Sequence, residues 1–188
     1  MAEESKVELE LNPIKIILKG LPKNLLDSSV FILWVSCTVI FILLYGAASC
    51  FSIFNVASFK VSDFLSVGVT SLSFTLALLS ATMRIYTIDD LVSIYKTNNS
   101  DYRCEGGLFY RTFSSYILTS TVWLIITIFS IIDKVFEVSG DNCFGHLFRV
   151  TQVVFVLAGV FNLWGLIKTH IQDIIALVEG KLDQEDGL

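Results

Sequence analysis

Four long stretches of this 188-residue chain contain no charged side chain, and they cover residues 29–54, 64–83, 112–132 and 150–167. Each is close to the roughly 20 apolar residues with which an α-helix crosses a hydrocarbon core about 30 Å thick. A helix also satisfies its own backbone hydrogen bonds where water is absent. The sequence therefore predicts an all-α integral membrane protein folded as a bundle of four transmembrane helices.

The composition agrees with a membrane protein and disfavours a soluble helical one. Hydrophobic residues make up 54% of the chain, aromatic residues 13%, and the mean hydropathy is +0.70. These values exceed those of an ordinary soluble domain. The net charge is −5 and the basic residues form no dense patch, so we expect no nucleic-acid partner. The first apolar run follows an acidic opening, unlike a cleavable signal, and is predicted to remain as a helix.

Segments outside the four runs are predicted to be amphipathic helices. In the N-terminal segment, residues 1–28, Asn12 is placed to cap a helix that begins at Pro13. Its lysines recur every four residues on one face and are predicted to meet the membrane surface: Lys15, Lys19 and Lys23. A second amphipathic helix is expected over 87–96, where Thr87 and Asp90 stand at the spacing of a capping box with Asp in the place of Glu. A third continues the fourth span, so the transmembrane domain covers 29–182 and an acidic tail follows over 183–188.

The distribution of basic residues predicts the orientation. Ten of the 13 lysines and arginines fall before the first run, between the second and third, or after the fourth. Cytoplasmic loops are enriched in such residues, so both termini and the long middle loop are predicted to be cytoplasmic. Aromatic side chains near the cytoplasmic ends of the spans agree with this orientation: Trp34, Tyr86, Tyr110 and Trp164.

The orientation also limits which modifications are expected. Asn98 begins a glycosylation acceptor but lies in the predicted cytoplasmic loop, so it should be unmodified. Cys50 and Cys143 lie on the opposite side, where a disulfide between them is one reading and two unpaired cysteines the other. Cys37 is expected in the core, and Cys104 is a candidate for reversible acylation.

One face of the second span carries only small residues. They recur at alternating steps of four and three: Ser66, Thr70, Ser73, Ala77 and Ser80. Small side chains let helices approach closely, so this face is predicted to be a packing seam. The fourth span offers a partner in the same register, with Ala158, Asn162 and Gly165.

Asn162 is the strongly polar side chain in the middle of the fourth span. An amide facing lipid is costly, so Asn162 is predicted to point into the bundle. One interpretation is a register-setting hydrogen bond between helices. The other is a ligand contact, in a cavity that four residues would line: Tyr45, Trp123, Gln152 and Asn162.

The sequence holds no pattern typical of an enzyme. It contains no glycine-rich phosphate loop, nucleophile elbow, paired carboxylates or metal-ligand spacing. No charge lies inside a predicted span, which argues against a proton relay or an ion-coupled transporter. His146 and His170 are predicted on opposite sides of the membrane. We therefore expect no catalysis, no cofactor and no metal.

Two functions remain. The first is a non-enzymatic accessory or structural subunit whose partners are the lipid bilayer and other membrane subunits or further copies of the chain. The second follows from layout: an amphipathic segment over 84–96 and a helical extension over 168–182 resemble the first four helices of insect gustatory and odorant receptors. That resemblance implies a ligand-sensing or channel-type unit, either a truncated receptor or an assembly partner, because the pore-lining terminal helix of those receptors has no counterpart here.

Overall fold

A computed structural model describes residues 12–20, 29–51, 60–96, 106–138 and 143–186. Nearly all of these residues are helical, and no strand occurs among them. The helices are α1 (Pro13–Gly20), α2 (Ser29–Phe51), α3 (Leu65–Ile85), α4 (Ile88–Lys96), α5 (Gly107–Phe136) and α6 (Cys143–Asp186). A 3₁₀ turn, Val61–Phe64, leads into α3. The predicted all-helical class is confirmed.

Three helical segments are long and apolar enough to cross a membrane: Val61–Ile85, Phe109–Phe136 and Cys143–Gln172. The described apolar part of α2, Phe31–Ala47, is shorter. Length and composition therefore confirm three of the four predicted spans.

The helices extend beyond the uncharged runs that predicted them. Helix α5 includes Arg111 near its start and Asp133 near its end. Helix α6 continues through Arg149 and Lys168 over 44 residues. Backbone hydrogen bonds within a helix do not require apolar side chains. A charged residue at the end of an uncharged run therefore does not mark the end of the helix.

Both predicted helix starts in the polar segments are confirmed. The side-chain oxygen of Asn12 accepts a hydrogen bond from the Ile14 N–H at 3.0 Å and caps α1. At α4, the Thr87 N–H donates to Asp90 Oδ2 at 2.8 Å, and the Asp90 N–H donates to Thr87 Oγ1 at 3.3 Å. This reciprocal pair is a capping box with Asp in the place of Glu.

Helix α5 is the centre of the fold. Helices α1, α3, α4 and α6 and the 3₁₀ turn all pack against it, whereas α2 packs on α6. The most buried apolar cluster is formed by Val122, Trp123 and Ile126 of α5. Partly buried residues of α3 and α6, among them Leu72 and Phe155, cover this cluster.

Three neighbours of α5 meet it through a glycine. At each glycine, a Cβ atom would collide with an atom of α5. The contacts are Gly20 with Ser114, Gly68 with Thr127, and Gly159 with Trp123. The missing side chains allow α1, α3 and α6 to approach α5 more closely than alanine would allow.

Helix α2 is displaced along α6. The Trp34 indole N–H donates to the Val154 carbonyl at 3.5 Å, and the Tyr45 hydroxyl bonds to His146 Nδ1 at 2.7 Å. This antiparallel register places α2 beside the first half of α6. Trp34 therefore lies level with Val154, more than a third of the way into the Cys143–Gln172 segment.

We predict that Gly159→Ala destabilises the fold by about 1–3 kcal/mol, because its Cβ would lie 2.8 Å from Cζ2 of the buried Trp123 ring. Gly46 on α2 is the matched control, since a Cβ there meets nothing within 4 Å. Gly46→Ala should keep or raise stability, because alanine favours a helix by up to about 1 kcal/mol. Reversible unfolding in detergent measures both, and an equal response would contradict the glycine contact.

We also predict that acid weakens the start of α4. The hydrogen bond from the Thr87 hydroxyl, and next that from its backbone N–H, lower the pKa of Asp90 below its ordinary 3.8. The cap is therefore complete above pH 3.8 and is lost as the pH falls through the lowered pKa. As the pH falls below 3.8, the hydrogen-exchange protection of the Leu91 amide, which bonds to the Thr87 carbonyl, should therefore decrease.

Asp90→Asn should abolish this pH dependence, whereas Asp89→Asn on the same turn should retain it. Persistence of the pH dependence in Asp90→Asn would show that Asp90 does not act through the cap.

Candidate functional site

The small-residue face of α3 points away from the described bundle. Its five residues are all exposed: Ser66, Thr70, Ser73, Ala77 and Ser80. The buried residues of α3 lie on the opposite face at seven-residue spacing: Gly68, Thr75 and Thr82. Within the described chain, α3 therefore packs on α5 through the other face, and the seam expected between α3 and α6 is not formed. Glycine decides the choice, because Gly68 permits the closest approach to α5.

The α6 half of that expected seam lies elsewhere in the structure. Ala158 packs against the Trp123 cluster of α5, and Asn162 and Gly165 are half-buried. The Asn162 amide donates to the Ala158 carbonyl of its own helix at 2.9 Å. The hydrogen bond that the structure gives to Asn162 is thus within α6, and not between helices as expected.

A buried polar cluster joins α5, α6 and the 3₁₀ turn. The Gln152 amide is fully buried and donates to the Ile126 carbonyl and to Ser130 Oγ, each at 3.2 Å. Ser130 Oγ lies 3.1 Å from the Val61 carbonyl and 2.9 Å from the Ile126 carbonyl, either of which can accept its proton. Three separate elements are therefore connected through two side chains.

Two buried charged residues lie one helical turn further along the same contact. Asp133 follows Ser130 by three residues on α5, and Arg149 precedes Gln152 by three on α6, so the antiparallel register places both at one level. Asp133 is 3% exposed and Arg149 6%. Oδ2 of Asp133 accepts the Ser62 N–H at 2.9 Å, which fixes the 3₁₀ turn to α5.

Sequence reasoning misses Asp133 and Arg149 because they delimit the uncharged runs over 112–132 and 150–167, where a charge is ordinary. Their three-residue spacing from Ser130 and Gln152 was the signal that could have revealed them. Residues so spaced share one face of a helix.

A second polar junction lies at the opposite end of α5. Thr82 Oγ1 of α3 is 2.6 Å from the Tyr116 hydroxyl of α5 and 3.1 Å from His170 Nδ1 of α6. The Thr82 hydroxyl also reaches the Leu78 carbonyl of its own helix at 3.0 Å. One threonine thus links the three central helices. His146 lies 24 residues away on α6, a distance of roughly 36 Å, so the two histidines do not share a site.

The four residues predicted to line a ligand cavity are only partly brought together. Trp123 and Gln152 are both buried at the contact between α5 and α6. Tyr45 instead bonds to His146 beside α2, and Asn162 bonds within its own helix. Among the described residues, the Trp123 indole N–H and the Gln152 carbonyl oxygen are buried without a hydrogen-bond partner. Each retains the capacity to bind one polar group such as water.

The predicted basic and cysteine residues have separate positions. Lys15 is exposed, whereas the Lys19 ammonium lies over the Tyr110 ring, 4.9 Å from its centre. Cys143 is exposed and free, and Cys37 is half-buried and free. Lys23, Asn98, Cys104 and the side chain of Cys50 lie outside the described residues. In the described ranges, no group of three or more metal-ligating side chains occurs.

We predict that Asp133→Leu lowers the free energy of unfolding by about 1–3 kcal/mol, because it removes the acceptor of the part-buried Ser62 N–H. Asp133→Asn keeps an acceptor oxygen and should lose less. Reversible unfolding gives the magnitudes, and hydrogen exchange of the Ser62 amide reports the bond itself. Unchanged exchange at Ser62 in the leucine variant would contradict this role of Asp133.

No protein-family model matches this chain, and no curated protein or solved structure matches it. The function must therefore be inferred from the geometry described above.

Proposed function

We propose that the chain is a non-enzymatic multi-pass membrane protein that serves as an accessory or structural subunit of a larger membrane assembly. The observation that carries this proposal is the outward-facing row of small residues on α3. Other membrane subunits or a second copy of the chain are the proposed partners.

The row is suited to contact with another helix in lipid. Lipid tails are as apolar as leucine, so helices associate there through close packing and interhelical hydrogen bonds. Exposed Ser66, Ser73 and Ala77 present little bulk along one line of α3. The Ser73 hydroxyl donates to the Val69 carbonyl of its own helix at 2.9 Å, so it is satisfied before a partner arrives. A partner helix can therefore pack closely against α3 without providing a hydrogen-bond acceptor for the Ser73 hydroxyl.

The polar interior favours a subunit over a ligand sensor. Gln152 bonds to Ser130, and Thr82 bonds to Tyr116 and His170, so these side chains are used to join helices of the same chain. A sensor requires polar groups that converge on a cavity. Of the four expected cavity residues, only Trp123 and Gln152 share a contact region.

The proposed topology has four membrane-crossing helices and cytoplasmic termini. Helix α2 covers 23 residues, and none of them is charged. That length is sufficient to cross about 30 Å of hydrocarbon. The excess of lysines and arginines before residue 29, over 84–111 and after residue 167 supports the orientation.

Cysteine crosslinking in the native membrane tests the proposed contact. We expect Ser73→Cys to form a crosslinked product with one defined partner, identified by mass spectrometry, because position 73 lies in the middle of the small-residue row. Phe74→Cys is the matched control, exposed at a similar depth and about 100° around α3 from position 73. Its crosslinking yield should be several-fold lower.

Equal yields at positions 73 and 74 would indicate random collision and contradict a specific interface. Recovery of a product between two Ser73→Cys chains identifies the partner as a second copy. Recovery of one larger heteromeric complex identifies an accessory subunit. If neither position forms a product while the chain is folded, the subunit proposal is wrong and ligand sensing becomes the function to test.

A further inference from the structure

Two short helices surround the first turns of α5. Gly20 of α1 packs against Ser114 and the Tyr110 carbonyl, and Lys19 lies over the Tyr110 ring. On α4, the ring of Tyr95 lies 5.8 Å from that of Phe109 and 6.4 Å from that of Tyr110. Tyr110 therefore contacts both helices and is itself only 2% exposed.

These contacts fix the height of α1 and α4 relative to the apolar surface. The membrane-length segment of α5 begins at Phe109, and α1 and α4 dock at Phe109, Tyr110 and Ser114. Five residues of helix span roughly 8 Å. Both short helices consequently contact the outermost turns of that segment, which is the level of a headgroup boundary.

Each short helix has an apolar pair that α5 does not cover. On α1, Ile14 is 68% exposed and Leu18 59%. On α4, Ile88 is 80% exposed and Val92 45%. Both pairs are four residues apart, so each forms one continuous strip on its helix.

The apolar strip of α1 lies between its α5-facing side and its lysines. Successive helical residues are about 100° apart, which places Ile16, Ile17 and Gly20 in one sector, Ile14 and Leu18 in the next, and Lys15 and Lys19 in the third. The first sector is buried or half-buried against protein, the second is exposed and apolar, and the third carries the two lysines. A helix at a bilayer boundary has this arrangement, with lysine near the headgroups and isoleucine or leucine near the acyl chains.

Helix α4 repeats the same order. Leu91, Ile94 and Tyr95 form its half-buried side, and Asp89 and Ser93 lie on the exposed polar side. Ile88 and Val92 lie between these two sides. Two helices of unrelated sequence thus present the same three sectors around one end of α5.

We propose that α1 and α4 form a lipid-contacting collar around the first turns of α5. Its apolar strips, Ile14–Leu18 and Ile88–Val92, lie at the boundary between headgroups and acyl chains of one leaflet. The occupant is the bilayer lipid itself, because the strips continue the apolar surface of the Phe109–Phe136 segment at its end. The charged residues of α1 are both lysines, which complements an anionic leaflet. This inference does not depend on the proposed subunit role.

Spin labels on the full chain test the collar. The four native cysteines are replaced by serine, the protein is reconstituted in phosphatidylcholine and phosphatidylserine vesicles, and single labels are placed at Leu18→Cys and Val92→Cys. Lys15→Cys and Asp89→Cys are the matched controls on the same turns. We expect the ratio of oxygen to nickel-chelate accessibility to be several-fold higher at positions 18 and 92 than at 15 and 89.

Equal ratios at the apolar and control positions would place the strips in water and overturn the proposal. Low accessibility to both reagents at 18 and 92 would mean that another protein covers them, which also overturns it. The unsubstituted chain gives a second measurement, with a diazirine phospholipid as the probe. Labelled peptides that contain Ile14, Leu18 or Val92 support the collar, and labelling restricted to α2, α3, α5 and α6 contradicts it.

Discussion

The fold depends on close approach of other helices to α5. In lipid, apolar side chains gain little by leaving one apolar surface for another, so contact between helices relies on tight packing. The glycines of α1, α3 and α6 each provide this at a different height of α5. The α5 side chains that enter these gaps are of three kinds, a serine, a threonine and a tryptophan. Size complementarity therefore sets which helix meets which part of α5.

Hydroxyl groups on α5 form hydrogen bonds to carbonyls of their own helix, and this allows them to be buried at such contacts. Thr119 and Thr127 each donate to the carbonyl four residues earlier, at 2.8 Å. A hydroxyl satisfied in this way can be buried without a partner on a neighbouring helix. The polar bonds that cross between helices are concentrated at the two ends, at Gln152 and at Thr82. Close packing therefore joins the helices at Trp123, and hydrogen bonds join them on either side of that contact.

The sequence predicted the elements of this fold better than their contacts. Uncharged runs and helix caps are formed by residues that are close together in the chain. The sequence alone therefore predicts the caps at Asn12 and at the pair Thr87–Asp90. The partner of each α3 face could not be predicted, because Gly68 and Ser66 both belong to rows of small residues. In the structure Gly68 makes the difference, because its missing side chain permits the closer approach to α5.

The candidate site shows the same limit. The sequence places Gln152 among the residues of a possible cavity. In the structure it is fully buried and bonds to Ser130, on a helix with polar residues on several sides. Asp133 and Arg149 lie at the ends of apolar runs, where a charge is ordinary and carries no sign of burial. Only the antiparallel register of α5 and α6 brings them to one level. The burial of these two residues depends on which helices pair and in which register, and composition does not show that pairing.

The unbroken length of α6 has a mechanical consequence. Its 44 residues form a rod of roughly 66 Å, more than twice the thickness of a hydrocarbon core. Its bond to Thr82 of α3, at His170, lies 16 residues before its end at Asp186, about 24 Å further along. A helix resists bending, so a tilt of α6 by about 10° around His170 displaces its far end by roughly 4 Å. The end of α6 therefore amplifies small changes of tilt at the junction of α3, α5 and α6.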